Sequence, residues 1–143
     1  MYEHGFLAPV VALIVWSLAV LIWLYATRIP AMNAAGIKPG TANREDMARM
    51  PAWAVNVADN YNHLMEQPTI FYAVCFALQL LGRTEPALIG WAWTYVALRV
   101  LHSLVQNLGN VIIVRFAVFV LASIALSVLT FHAAAAVGMF AWR

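Results

Sequence analysis

The sequence predicts an all-α integral membrane protein built as a four-helix bundle, and three observations carry that prediction. Hydrophobic residues make up 64% of the chain and charged residues only 10%, and the mean hydropathy of +0.80 lies far outside soluble usage. Apolar runs long enough to cross a hydrocarbon layer of about 30 Å recur between short polar connections. Inside those runs, ionisable and amide side chains fall at helical spacing rather than at random. A chain of 143 residues has room for four spans but not for a separate soluble domain, so residues 1–143 are taken as one four-helix transmembrane domain.

The first helix is expected over residues 6–26, an uncharged run with Trp16, Trp23 and Tyr25 as aromatic bulk. Glu3 and His4 lead straight into it without a basic region or a small-residue cleavage site, so the run is expected to be retained. Arg28, Pro30, Asn33, Gly36, Lys38, Pro39 and Gly40 then break the apolar pattern and predict a polar loop. A short surface helix is expected near residues 44–50. The second long helix spans residues 52–81, with a kink at Pro68. At about 45 Å it exceeds the bilayer and should project from it or tilt. Gly82 to Glu85 form a turn, Pro86 suits the first position of the third helix, and that helix runs to about Asn107. A tight connection through Gly109 and Asn110 leads to the fourth, over residues 111–138.

Lys and Arg cluster on one side of this layout. Arg28, Lys38, Arg44 and Arg49 flank the first loop and Arg115 borders the third, which places both loops in the cytoplasm. Only Arg83 and Arg143 remain outside, so both termini should face the periplasm or lumen. The scattered basic residues make no nucleic-acid stripe. Cys75, the single cysteine, excludes an internal disulfide and reads as packing.

Spacing then isolates a candidate site. Asp59, Asn62, His63 and Glu66 stand at i, i+3, i+4 and i+7 and share one face of the second long helix. Arg99, His102 and Gln106 do the same on the third. Arg115 lies at the matching end of the fourth. The three polar stripes should meet at one depth, with Glu66 the natural partner of Arg99 or Arg115 and surplus positive charge left for an anionic ligand. An internal network that only fixes helix register is the competing explanation. Asp59 is weaker, being open to solvation where its helix emerges. His132, beside Phe131, reads as an ordinary histidine. Ser103 and Thr69 are expected to bond their own helix backbone. No helical His pair or thiolate set predicts a metal site.

These residues resemble the family of membrane-associated proteins in eicosanoid and glutathione metabolism. The likeness rests on His63-Leu64-Met65-Glu66-Gln67-Pro68, on Arg99-Val100-Leu101-His102, and on an arginine, Arg115, opening the fourth helix. The resemblance implies a homotrimer in the bacterial inner membrane, with glutathione as co-substrate bound between neighbouring subunits near the cytoplasmic face. It implies that Arg99 and Arg28 hold carboxylates, that Glu66 and His63 hold amino or amide groups with Asn62, His102 and Gln106 alongside, and that Arg115 lowers the thiol pKa. The reaction implied is thiolate attack on a lipophilic small molecule arriving from membrane lipid, or hydroperoxide reduction. His63 stands where catalytic relatives have Asn, Asn62 where Arg is common, and Gln106 where Tyr is frequent. Phe116 and Phe119 replace hydroxyl-bearing residues. These departures disfavour the eicosanoid synthases and leave a general glutathione transferase or peroxidase. They also keep open a lipid-binding scaffold of the same fold, or a structural subunit of a membrane complex.

Overall fold

The computed structural model describes residues 4–38 and 40–140; Glu3, Pro39 and Arg143 lie outside them. Among the described residues the chain is entirely helical: α1 (Leu7–Ala34), α2 (Arg44–Ala48), α3 (Ala52–Leu80), α4 (Pro86–Leu108) and α5 (Ile112–Ala136). The expected second, third and fourth long helices are thus α3, α4 and α5, each ending within about two residues of expectation.

The end of α1 is different. The sequence reading stops this helix at residue 26, whereas it continues through Pro30 to Ala34. Proline removes one backbone donor, but the Pro30 ring faces outward while Ala31 is buried on Ile37, Met50 and Ala54. That packing keeps the turn helical. The true stop is Gly36, whose φ of 67° suits a residue without a Cβ. Ile37 N–H donates to Met32 O at 2.9 Å and Gly36 N–H to Asn33 O at 3.1 Å, the paired bonds that close a helix on a left-handed glycine. Gly82 ends α3 in the same way.

Local chemistry sets the other boundaries. Asn43 and Asp46 cap α2 reciprocally, each side chain accepting from the other's backbone N–H. Pro86 occupies the first turn of α4. In the turn before it, Arg83 Nε donates to Glu85 Oε1 at 2.6 Å, and that bond holds the Glu85 carboxyl below the usual carboxylate range.

Helices α1 and α3 pack together, α4 lies against α1, α3 and α5, and α3 also touches α5, while α1 and α5 do not meet. The core draws on Val10, Leu13 and Val20 of α1, Leu64 and Phe71 of α3, Tyr95 of α4, and Ala122 and Ala125 of α5. Phe71 and Tyr95 stack with centroids 4.4 Å apart, and the two alanines let α5 approach closely. Cys75 is buried in this core, as its apolar surroundings predict. Helices α1, α4 and α5 are each long and apolar enough to cross a membrane. The protein is a membrane protein.

Candidate functional site

The polar stripes of α3 and α4 and the first turns of α5 enclose a cavity of about 370 Å³. Helix α3 contributes His63, Glu66 and Gln67, α4 contributes Arg99 and His102, and α5 contributes Ile112, Arg115, Phe116 and Phe119. A second cleft of about 340 Å³ shares His63, Glu66 and Arg115 and adds Asp59, Asn62 and Gln106. Eight of the nine residues singled out by spacing or resemblance thus border one connected region. Arg28 is the exception. It lines neither space but borders a smaller adjoining cleft of about 180 Å³ with Asp59 and Asn62, and its Nη2 donates to Met47 Sδ of α2, 3.3 Å away.

Arg99 dominates the inner wall. It is 1% exposed, and its Nη2 donates to His63 O at 2.8 Å. That carbonyl lies on the turn ahead of Pro68, next to Leu64, whose O is the one that the missing proline donor leaves without its helix bond. Among the described residues Nε and Nη1 of Arg99 have no partner, and neither has Nδ1 of His102. The His102 ring stands 6.1 Å from His63 and 6.2 Å from Phe119. His63 Nδ1 lies 3.2 Å from Gln106 Oε1, a contact in which the ring nitrogen carries the proton.

Arg115 is fixed from below. Its Nη1 donates to Asn110 Oδ1 at 2.7 Å, and Asn110 Nδ2 donates to Asn56 Oδ1 at 3.0 Å. Asn110 has a φ of 47°, a left-handed position that asparagine tolerates better than most residues. On the far wall, Tyr95 donates to Gln67 Oε1 at 3.3 Å and Gln67 Nε2 to Ser123 Oγ at 2.8 Å, which ties α3 to both α4 and α5. Sequence reasoning missed Asn56, Asn110, Gln67 and Ser123 as members of this frame. Only Asn110 carried a signal, its place in a Gly-Asn connection.

Two expectations change. Glu66 is exposed and forms no ion pair with Arg99 or Arg115; among the described residues the ion pairs are Arg49 with Asp46 and Arg83 with Glu85. Each cavity arginine instead takes a neutral oxygen, because those oxygens lie within its reach and cost less to bury than a carboxylate. Ser103 does not bond its own helix. Its hydroxyl donates to Asn60 Oδ1 at 2.9 Å across the α3–α4 seam, where both residues are fully buried. Thr69 does bond its own backbone, at Glu66 O. His132 turns Nδ1 toward Val128 O of its own helix.

The site therefore joins a cationic, donor-rich half to an aromatic half. Two guanidinium groups meet one carboxylate in the main cavity, which leaves it positive. This is the stripe order that the family resemblance marks, and the sequence pattern of the MAPEG family matches residues 6–135. The chain belongs to the MAPEG family. Members of the MAPEG family include glutathione transferases and peroxidases as well as non-catalytic proteins. No curated protein and no solved structure matches the chain.

Proposed function

We propose that this protein is a membrane-embedded glutathione transferase or peroxidase that uses glutathione as co-substrate against lipophilic electrophiles. The supporting observation is Arg99, a buried guanidinium with two unpartnered nitrogens in the wall of a cavity that also holds Arg115. A buried cation with free donors calls for an anionic partner, and glutathione offers two carboxylates. The orphaned His102 Nδ1 and the exposed Glu66 suit its remaining amide and amino groups.

Glutathione supplies the thiol nucleophile. Arg99, with Gln106 and His102 behind it, anchors a carboxylate, and Glu66, His63 and Asn62 hold the amine end. Arg115, fixed by Asn110, stabilises the thiolate over the thiol. Ile112, Phe116 and Phe119 hold the apolar co-substrate and keep water from the reacting sulfur.

The assembly proposed with it is a single four-helix transmembrane domain that associates as a homotrimer. Asp59, Asn62 and Glu66 are exposed on one chain, a costly surface beside lipid that a neighbouring copy would cover. Arg28 borders a small cleft with Asp59 and Asn62 of its own chain and would add its cation to the site from that side or from a neighbour. The basic residues around α2 favour a cytoplasmic site, with both termini periplasmic in a bacterial inner membrane.

Phe116 and Phe119, which carry no hydroxyl beside Arg115, favour a second reading in which the same cavity retains lipid without turnover. One experiment separates the two. Detergent-solubilised protein is titrated with glutathione, and conjugation of an apolar aryl halide is followed in the wild type, Glu66→Ala and Arg115→Ala. Glutathione should raise the melting temperature of the wild type and less so that of Glu66→Ala. Arg115→Ala should lose about tenfold in rate for each pKa unit the cation contributes. No thermal shift at millimolar glutathione and no conjugate above the uncatalysed rate would sink the transferase reading. Retained lipid in the cavity with no turnover would favour the second.

A further inference from the structure

Beside the proposed glutathione site, with which it would compete for Arg28, the structure holds a second cationic cleft of about 520 Å³ between the end of α1 and α2. Arg28, Met32, Ala42, Asn43, Arg44 and Met47 line it. Among the described residues no carboxylate does. Neither arginine forms an ion pair among the described residues. The acids of α2 do not neutralise them, because Asp46 is engaged by the Asn43 cap and by Arg49 and Glu45 is not in the lining; Asp59 of α3 borders an adjoining cleft with Arg28 but forms no ion pair with it. Asn43 uses its Oδ1 to accept from Asp46 N–H, which leaves Nδ2 as its free donor. The cleft thus carries three donor groups, two of them charged, on a floor of two methionines.

Its depth says what it would meet. Arg28 follows Leu7 by 21 residues of continuous helix, a rise of about 31 Å, close to the thickness of the hydrocarbon layer. A helix entering that layer near Leu7 brings Arg28 out at the opposite headgroup level. Lys38 and Arg49 add positive charge to the same connection.

We propose that this cleft binds the phosphate of an anionic membrane phospholipid. Arg28 and Arg44 take its non-bridging oxygens, Asn43 adds a neutral hydrogen bond, and Met32 and Met47 pack against the glycerol and the start of the acyl chains. Arginine suits phosphate because its planar fork matches two oxygens at once, and basic pockets at the end of membrane helices favour such headgroups. The methionine floor and the headgroup-level depth favour a lipid over a free ion.

The test compares phosphatidylglycerol, phosphatidylcholine, inorganic phosphate and glutathione, each added to the purified full chain in neutral detergent. Melting temperature and lipid retained in native mass spectrometry are read for the wild type, Arg44→Gln and Arg28→Gln. Phosphatidylglycerol should stabilise the wild type more than phosphatidylcholine, and its affinity should fall about fivefold in Arg44→Gln, the loss expected for one interfacial cation. Arg44 is exposed, so its variant should melt like the wild type without lipid. Arg44→Lys, which keeps the charge and loses the fork, should recover part of the affinity. Equal effects of the two lipids would overturn the proposal, as would a phosphatidylglycerol effect unchanged in both glutamine variants. So would inorganic phosphate reproducing the full shift, which would mark a free-ion site. A glutathione shift lost in Arg28→Gln while the lipid effect persists would return Arg28 to the glutathione site and also overturn it. Failure of the glutathione reading itself would leave the lipid comparison unaffected.

Discussion

Replacing Arg99 by methionine should make the protein more stable without ligand and insensitive to glutathione. The wild-type side chain is buried with two nitrogens unpartnered, and each orphaned buried donor costs about 1–3 kcal/mol. The substitution also loses the charge-assisted bond to His63 O, worth about 1.5–3 kcal/mol. The carbonyl left behind still has its own helix to donate to it. Methionine fills similar volume with no charge to bury, so the balance is a gain of about 1–3 kcal/mol, in line with other buried charges exchanged for apolar residues. Thermal unfolding in detergent, with and without 10 mM glutathione as the added ligand (about 10 mM being saturating for a millimolar-or-tighter site), reads both effects. The variant should melt several degrees higher than ligand-free wild type and show no shift on addition of glutathione. An Arg99→Met protein that melts lower and still shifts would refute the reasoning, since Arg99 would then be a structural pin and not a ligand group.

Two further outcomes follow from local geometry. Gly5 is buried with φ of +55°, and a Cβ there would meet the Gln79 amide that accepts from Phe6 N–H. Gly5→Ala should therefore cost about 1–2 kcal/mol and lower the melting temperature by a few degrees; an unchanged melt would show that the turn relaxes freely. The Glu85 carboxyl, held low chiefly by its hydrogen bond to Arg83, has a folded pKa below its unfolded one. Its contribution is present above the ordinary carboxylate range and lost as pH falls through the lowered folded value. The small difference in melting temperature between the wild type and Glu85→Gln should shrink as pH falls below the ordinary carboxylate range, near about 4, and a difference that does not change with pH would count against the contact.

Much of the fold was legible because its punctuation is local. Gly82, Pro86 and the Gly109-Asn110 pair each act through one turn, and α3, α4 and α5 end accordingly. The end of α1 was misread because Pro30 is a strong local signal, while the packing of Ala31 that overrides it is tertiary. The site divides in the same way. Residues at i, i+3, i+4 and i+7 must share a face, so His63, Glu66, Arg99 and His102 could be grouped without a structure. Which of them touch could not be read. Opposite charges on converging faces suggested an ion pair with Glu66, whereas Arg99 took His63 O and Arg115 took Asn110. Gln67 and Ser123 bond across helices, and Asn56 accepts from the α4–α5 connection; such partners leave no periodicity in the chain.

Helices α1, α4 and α5 reach the hydropathy of a membrane span, and α3 does not. The face that makes α3 a wall of the cavity, with Asp59, Asn62, His63 and Glu66 in two turns, is the reason. During synthesis a segment of that polarity is a poor client for direct release into lipid. Its insertion would depend on α1 already being in place and on α4 following closely, so that Asn60 and Ser103 can find each other before either meets hydrocarbon. The polar residues of that face would thus dictate the order in which the ribosome's product settles into the bilayer, and substitutions along it should register in yield and topology.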